Sequence, residues 1–254
     1  IYFAASAPHY PYDVPAYAKG KSKAGDRGDM VYVFDLMVGE LVKTLKEQGM
    51  YENTVIIIAS DNGPLPGVAP SGTVPDDGVF ETYGHKSMGN FKGFKGNVFE
   101  GGHRIPLIVS WPGKAIAGRR VAQEVCLVDI FGLMGQIVHR AIPHTALDSY
   151  GFLPLVTGSH PSFKRKELII SYAGGVYSVQ DTDGWKYVHE NKLGGGIFPW
   201  KAEGIVTDPV GPVPGSQGML FDLKSDPGER YDLYGRYPEK VRVLSDAIKK
   251  IILQ

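Results

Sequence analysis

At 254 residues the chain is long enough for one large domain, or one and a half, with a sizeable core. Its 27 basic and 27 acidic side chains cancel to a formal charge of zero, which leaves no electrostatic footprint for nucleic acid, and no apolar run approaches membrane-spanning length. The single cysteine, Cys126, excludes an intrachain disulfide framework and a cysteine-rich zinc site; inside the apolar stretch 125–130 it reads as a buried, inert thiol.

In chain order, residues 1–6 read as a buried strand with no lead-in. Domains rarely begin in mid-sheet, so the chain is expected to be a portion of a longer protein. A loop with His9 between Pro8 and Tyr10-Pro11 follows, then a Pro/Gly/Lys-rich connector to residue 28. Met30, Val33, Phe34, Met37, Leu41 and Leu45 recur with helical period, predicting a helix over 29–48 that stops at Gly49. The uniformly apolar run 55–58 predicts a strand buried on both faces, and strand–helix–strand favours a parallel pairing with a right-handed crossover. Residues 63–94 have no clear period and are dense in Gly, Pro and Asp. A strand over 105–111 and a helix over 124–138 complete this part, and a boundary is expected near 155–166.

Beyond it, 168–172, 176–180, 185–189 and 219–223 are short strands spaced by turns, which predicts an antiparallel sheet. The Gly/Pro-rich loop 191–217 is expected to be exposed, 225–229 is a turn, and a helix over 238–252 puts Val241, Leu244 and Ile248 on one face. The predicted fold class is α/β: part of a mixed, mainly parallel sheet flanked by helices in residues 1–160, and a small antiparallel sheet backed by a helix in 161–254.

Four places carry candidate chemistry. The predicted strand at 54–59 ends in Ser60-Asp61-Asn62-Gly63, and ligands in α/β sheets bind just past the carboxyl ends of strands. Asp61 and Asn62 offer a carboxylate and an amide oxygen, hard donors suited to Ca²⁺ or Mg²⁺, although Asp-Asn-Gly is equally the composition of a plain turn. His9, in a proline-stiffened loop, suits proton transfer near neutral pH, or is simply a surface histidine. Lys95, between Gly93 and Gly96, can approach an anion closely, or is one of three solvated lysines with Lys86 and Lys92. His85, beside Gly84, is the fourth; His103, after Gly101-Gly102, is ambiguous by itself, and Arg104 is placed to pair with a structural carboxylate such as Glu100.

The succession of a strand-end histidine, Ser-Asp-Asn-Gly, then Lys95-Gly96-x-x-x-Glu100-Gly101-Gly102-x-Arg104-x-Pro106 before an apolar strand and Trp-Pro-Gly resembles the sulfatase family of the alkaline-phosphatase superfamily. Residues 220–229, Leu-Phe-Asp-Leu-Lys-Ser-Asp-Pro-Gly-Glu, resemble the closing strand and turn of that family's small C-terminal subdomain. The resemblance implies that Asp61 and Asn62 are metal ligands, usually of Ca²⁺ with Mg²⁺ as the alternative. It implies that His9 contacts the sulfate and protonates the leaving oxygen, and that Lys95 binds sulfate and stabilises charge on the leaving group. His85, in the loop between metal strand and Lys95, is expected to read the substrate, and His103 is a further substrate-binding candidate.

The family's nucleophile is a formylglycine made from the first residue of a Cys/Ser-x-Pro-x-Arg motif, which these residues do not contain: Cys126 is followed by Leu-Val-Asp and Ser162 by Phe-Lys-Arg. The resemblance therefore implies a partial chain, inactive alone, partnered by a missing N-terminal segment of the same protein. The expected function is hydrolysis of an aryl or carbohydrate sulfate ester, in a periplasmic or secreted setting by family habit. A phosphonate or phosphate ester hydrolase of the same superfamily and a non-catalytic carbohydrate-binding remnant are the alternatives.

Overall fold

The computed structural model describes residues 1–65, 83–143, 148–159, 163, 165, 169–173, 176–189 and 215–252. Most of the irregular run 63–94, the part of the 155–166 boundary with Lys164 and Lys166, Leu168 at the head of a predicted strand, and nearly all of the 191–217 loop lie outside the described residues.

Helix α1 (Gly25–Glu47) begins earlier than the apolar period suggested. Asp29, expected at its start, sits a turn inside it and clamps the preceding turn, accepting from the backbone N–H groups of Gly20 and Ser22 at 2.6 and 2.7 Å. Those bonds, the Ser22 one foremost, hold the Asp29 carboxyl below its ordinary range. Met30 and Val33 bury against Ala7 and Ala18, whereas Leu41, expected on the same apolar face, is exposed.

Two expectations for the first part are corrected. Residues 1–6 form no strand, and Ile1, Tyr2 and Phe3 are exposed, because no neighbouring backbone among the described residues satisfies their N–H and C=O groups in a ladder. Strand β1 (Ile56–Ala59) pairs instead with β2 (Leu107–Ser110), and the pairing is antiparallel, with Ile57 opposite Val109. The run 55–58 is half-buried rather than buried on both faces. Ile57, Leu107 and Val109 pack on Leu133, Phe152 and Leu155, while Ile108 on the other face is 55 % exposed.

Helix α3 (Asp129–Ile137) is shorter than predicted because Asp129, fully buried, takes the backbone N–H of Cys126 at 2.7 Å and that of Tyr150 at 2.8 Å, and pairs with Arg165. Residues 125–128 thus become its approach rather than its first turn. A short helix α4 (Leu153–Thr157), not expected from the sequence, carries Pro154 in its first turn and stops at Gly158, whose φ of +75° is the left-handed conformation glycine adopts freely.

The C-terminal sheet follows its pattern. Strands β3 (Ile169–Ala173), β4 (Val176–Gln180), β5 (Trp185–Val188) and β6 (Met219–Asp222) pair antiparallel in sequence order. Alternation gives it two apolar faces. Val179, Tyr187 and Leu220 meet Val241, Leu244 and Ile248 of helix α5 (Pro238–Ile252). Val176, Val188, Met219 and Phe221 meet Val98 and Phe99, which come from the first part of the chain. The segment holding Lys95 is therefore built on the core of the C-terminal sheet.

Candidate active site

Past β1 the chain turns sharply. Ser60 Oγ donates to the Asn62 carbonyl at 2.9 Å, and the backbone N–H and side-chain Nδ2 of Asn62 both donate to Asp61 Oδ1, at 3.0 and 2.7 Å. The amide nitrogen is spent on the carboxylate, so the amide oxygen of Asn62 and Oδ2 of Asp61 are left as outward acceptors. Turn and oxygen-donor edge are one structure. Gly63 then donates to the Gly102 carbonyl at 2.8 Å, so closely that a Cβ on Gly63 would stand 1.9 Å from the Gly101 oxygen.

Residues 92–102 fold back on themselves. Gly101 N–H donates to the Lys92 carbonyl at 2.7 Å and Gly102 N–H to that of Phe99 at 2.8 Å. A Cβ at Gly101 would lie 2.3 Å from the Gly93 carbonyl oxygen, and one at Gly102 2.2 Å from that of Asn97. The Gly101-Gly102 pair is thus a close crossing of backbones, an approach that the lack of a Cβ permits. Phe94, Val98 and Phe99 anchor the loop in the core, and Gly93 and Gly96, with φ of +79° and +85°, turn the chain around half-buried Lys95. The Lys95 N–H donates to the Pro64 carbonyl at 2.8 Å, which ties the loop to the Asp61-Asn62 edge.

At the loop's tip Lys95 Nζ lies 2.9 Å from Nε2 of His9, 86 residues away in sequence. His9 Nδ1 is 2.5 Å from the Tyr10 carbonyl, which can only accept, so Nδ1 carries the proton and Nε2 presents its lone pair to the ammonium. A cation and a proton-carrying ring are brought together on an exposed surface, on a loop tied through Pro64 to the turn that carries the carboxylate and amide oxygens. That combination can bind an oxyanion and move a proton to or from it.

The other two candidate histidines lie elsewhere. His85 is exposed, two residues before Ser87, whose hydroxyl accepts from Arg27 at 2.5 Å; Arg27 also donates to the Tyr12 hydroxyl at 3.0 Å, linking the His85 turn to the loop after His9. His103 ends helix α2 (Glu100–His103), with Nε2 3.0 Å from both the Val98 carbonyl and the Lys186 ammonium. Burial, then the like charge of Lys186, bring its pKa down to about 4, against the pull of Glu100.

His103 belongs to a charge cluster that the sequence reading caught only in part. Arg104 does pair with Glu100, at 3.1 Å, but the larger partner is Lys186, fully buried on β5, 3.1 Å from Glu100 Oε1 and 2.9 Å from Glu229 Oε1. Glu229 Oε2 accepts the Glu100 backbone N–H at 2.7 Å. Burial pushes the Glu229 carboxyl up despite Lys186; burial also opposes ionisation of Glu100, but Lys186, His103 and Arg104 together bring its pKa down. One signal pointed here: Lys186 shares a face with Val188, Met219 and Phe221, a charge in an otherwise apolar stripe.

These shifts set a pH dependence. Between about 4 and 6.5 the unfolded chain protonates His103 and the folded chain does not, so stability rises with pH across that window and is lost on acidification. Glu100, depressed in the fold, adds a loss as pH falls below its ordinary 4.5. Glu229, raised in the fold, acts with the opposite sign on acidification, so the His103 contribution is read by comparison: as pH is lowered from about 6.5 to 4 the melting temperature of wild type should lose more than that of His103→Gln. A slope identical in the variant would remove His103 as its source.

Asp61 and Asn62 fit a hard divalent cation by donor type, as two of the six to eight oxygens that Ca²⁺ takes. Among the described residues there is no cluster of three or more His, Cys, Asp or Glu able to hold a metal. Cys126 is half-buried and burial raises its thiol pKa, the opposite of an activated nucleophile. No helix among the described residues is long and apolar enough to cross a membrane.

The Sulfatase family pattern matches residues 1–137. The chain is 30 % identical over 250 residues to an N-acetylgalactosamine-6-O-sulfatase of Bacteroides thetaiotaomicron, covering 96 % of this chain and 44 % of that one. It is 28 % identical to human arylsulfatase A, covering 100 % and 48 %. A solved Bacteroides thetaiotaomicron structure, described in connection with the metabolism of multiple glycosaminoglycans, superposes with a TM-score of 0.78 at 27 % identity, over 97 % of this chain and 48 % of that one. The chain thus spans just under half the length of these relatives. With the family pattern running from residue 1 through the Asp61-Asn62 edge and the Lys95 loop, the chain belongs to the sulfatase family.

Proposed function

We propose that the complete protein carrying this chain is a sulfuric-ester hydrolase acting on a sulfated carbohydrate. The observation that carries this reading is the meeting of Lys95 Nζ and His9 Nε2 at 2.9 Å, on a loop whose backbone is bonded to Pro64, two residues past Asn62. Lys95 binds the sulfate and neutralises charge gathering on its oxygens. When those oxygens take over the ammonium, the His9 Nε2 lone pair is released to take up a proton from solvent, giving the imidazolium that passes this proton to the bridging oxygen, while Nδ1–H stays fixed on the Tyr10 carbonyl. Asp61 and Asn62 would supply two ligands of a divalent cation, Ca²⁺ by family habit, which when bound would provide electrostatic stabilisation of the sulfate oxygens.

The carbohydrate assignment is supported by the 30 % identity to the N-acetylgalactosamine-6-O-sulfatase. His85 and His103 are proposed to belong to the substrate side, His85 through contact and His103 through its place at the end of α2. The formylglycine nucleophile and the remaining metal ligands are assigned to the missing N-terminal segment, whose strands would extend β1–β2 into a mixed, mainly parallel sheet. In this division residues 1–160 carry the chemistry and 161–254 back it, and the protein works in the periplasm or outside the cell.

The test is hydrolysis by the complete protein of a 6-O-sulfated N-acetylgalactosamine, an aryl sulfate and an aryl phosphonate. Sulfate release is expected, along with loss of turnover on chelation and recovery with added Ca²⁺. Turnover of the phosphonate alone would hand the site to the phosphonate-hydrolase alternative, and turnover of none of the three would favour a non-catalytic role.

A further inference from the structure

We propose that Lys186 and Glu229, on the C-terminal sheet, are positioning residues for Lys95, acting through the backbone of Glu100; this rests on the sulfatase reading above. Neither residue reaches the exposed surface where Lys95 meets His9: Lys186 is 1 % exposed and Glu229 0 %. Their effect is mechanical. Helix α2 has four residues, too few to hold itself, and its first N–H is taken by Glu229 Oε2 at 2.7 Å while its first carboxylate is held by Lys186 at 3.1 Å.

From α2 two backbone bonds lead to the two halves of the site. Gly102 C=O accepts from Gly63 at 2.8 Å, next to the Asp61-Asn62 edge, and Gly101 N–H donates to Lys92 at 2.7 Å, closing the base of the Lys95 loop. A displacement of α2 would therefore move the anion-binding lysine relative to the oxygen-donor edge. Replacing a whole buried ion cluster by well-packed apolar side chains is often neutral or stabilising, so Lys186 with its two carboxylates is better explained by what it fixes than by net stability.

Two substitutions in the complete protein test this, each made with and without Lys95→Ala: Lys186→Met, which removes the shared cation, and Glu229→Met, which removes the acceptor of the Glu100 N–H and one of the two carboxylates on Lys186 while leaving the Lys186–Glu100 pair. Misplacing a catalytic group is expected to cost about 10²-fold in turnover. If positioning is the role, each substitution lowers turnover and weakens inhibition by inorganic sulfate when Lys95 is present, and changes neither once Lys95 is alanine. Equal factors in both backgrounds would overturn the proposal. Should Lys186→Met fail to fold, the Glu229→Met cycle decides alone. Hydrogen exchange separates this inference from the functional reading. Faster exchange confined to 61–64 and 92–103 in Glu229→Met supports the mechanical link even in a protein that releases no sulfate, and faster exchange confined to the C-terminal sheet refutes it.

Discussion

Gly63→Ala is expected to disable the complete protein and to destabilise it by about 3 kcal/mol, the upper range for overpacking. The added Cβ would stand 1.9 Å from the Gly101 carbonyl oxygen, 2.9 Å from its carbon and 3.0 Å from the Gly102 carbon, all main-chain atoms that cannot swing aside. Relief requires the Asp61-Asn62 edge to separate from helix α2, which also breaks the Gly63–Gly102 hydrogen bond. Thermal melts and turnover should fall together. Gly39→Ala is the matched control: it lies on an exposed stretch of α1 with no atom within 4 Å of a new Cβ, and should be neutral or stabilise by about 0.5–1 kcal/mol through helix propensity. Wild-type melting and activity in Gly63→Ala would mean that the two backbones do not cross as described.

The second large effect is electrostatic. Lys95→Ala should reduce turnover of a sulfate ester by about 10²–10³-fold, the usual consequence of deleting one preorganised charge-stabilising donor. Lys95 is held by its loop backbone rather than by a buried ion pair, so its removal should leave the melting temperature close to wild type. His9→Ala should be selective. Protonating the bridging oxygen matters most when the leaving group is a poor one, so the loss is expected to approach about 10²-fold or more on a sugar sulfate and to be much smaller on an activated aryl sulfate. Rates on the two substrates, measured side by side, check this; an equal loss on both would assign His9 to binding rather than to proton transfer.

The sequence made the C-terminal half legible. Short runs with period-two alternation between strong turn residues give a meander whose strands each pair with their neighbour, and the structure has β3 to β6 in that order with α5 on one face. The first half was read less well, because its local signals depend on distant partners. Residues 1–6 have strand composition but lack a ladder, and the apolar run at β1 has one covered face. Helix α3 lost its predicted first turn to Asp129, whose carboxylate is committed to the backbone of Cys126 and Tyr150.

What the sequence by itself determined is the chemistry available: hard oxygen donors at a strand end, a histidine in a proline-bounded loop, a lysine among glycines, and the order that marks the family. Side-chain type and local turn geometry are properties of short stretches, so they can be read without a fold. Only the tertiary structure decided which of these groups meet. His9 and Lys95 converge across 86 residues, whereas His103 turns to Lys186 and Glu100. It also decided that Glu100-Gly101-Gly102 is a junction of three backbone segments braced by Lys186 and Glu229 from the far end of the chain. Backbone crossings and buried charge pairs are made between segments distant in sequence, and a single strand or loop carries at most one side of each.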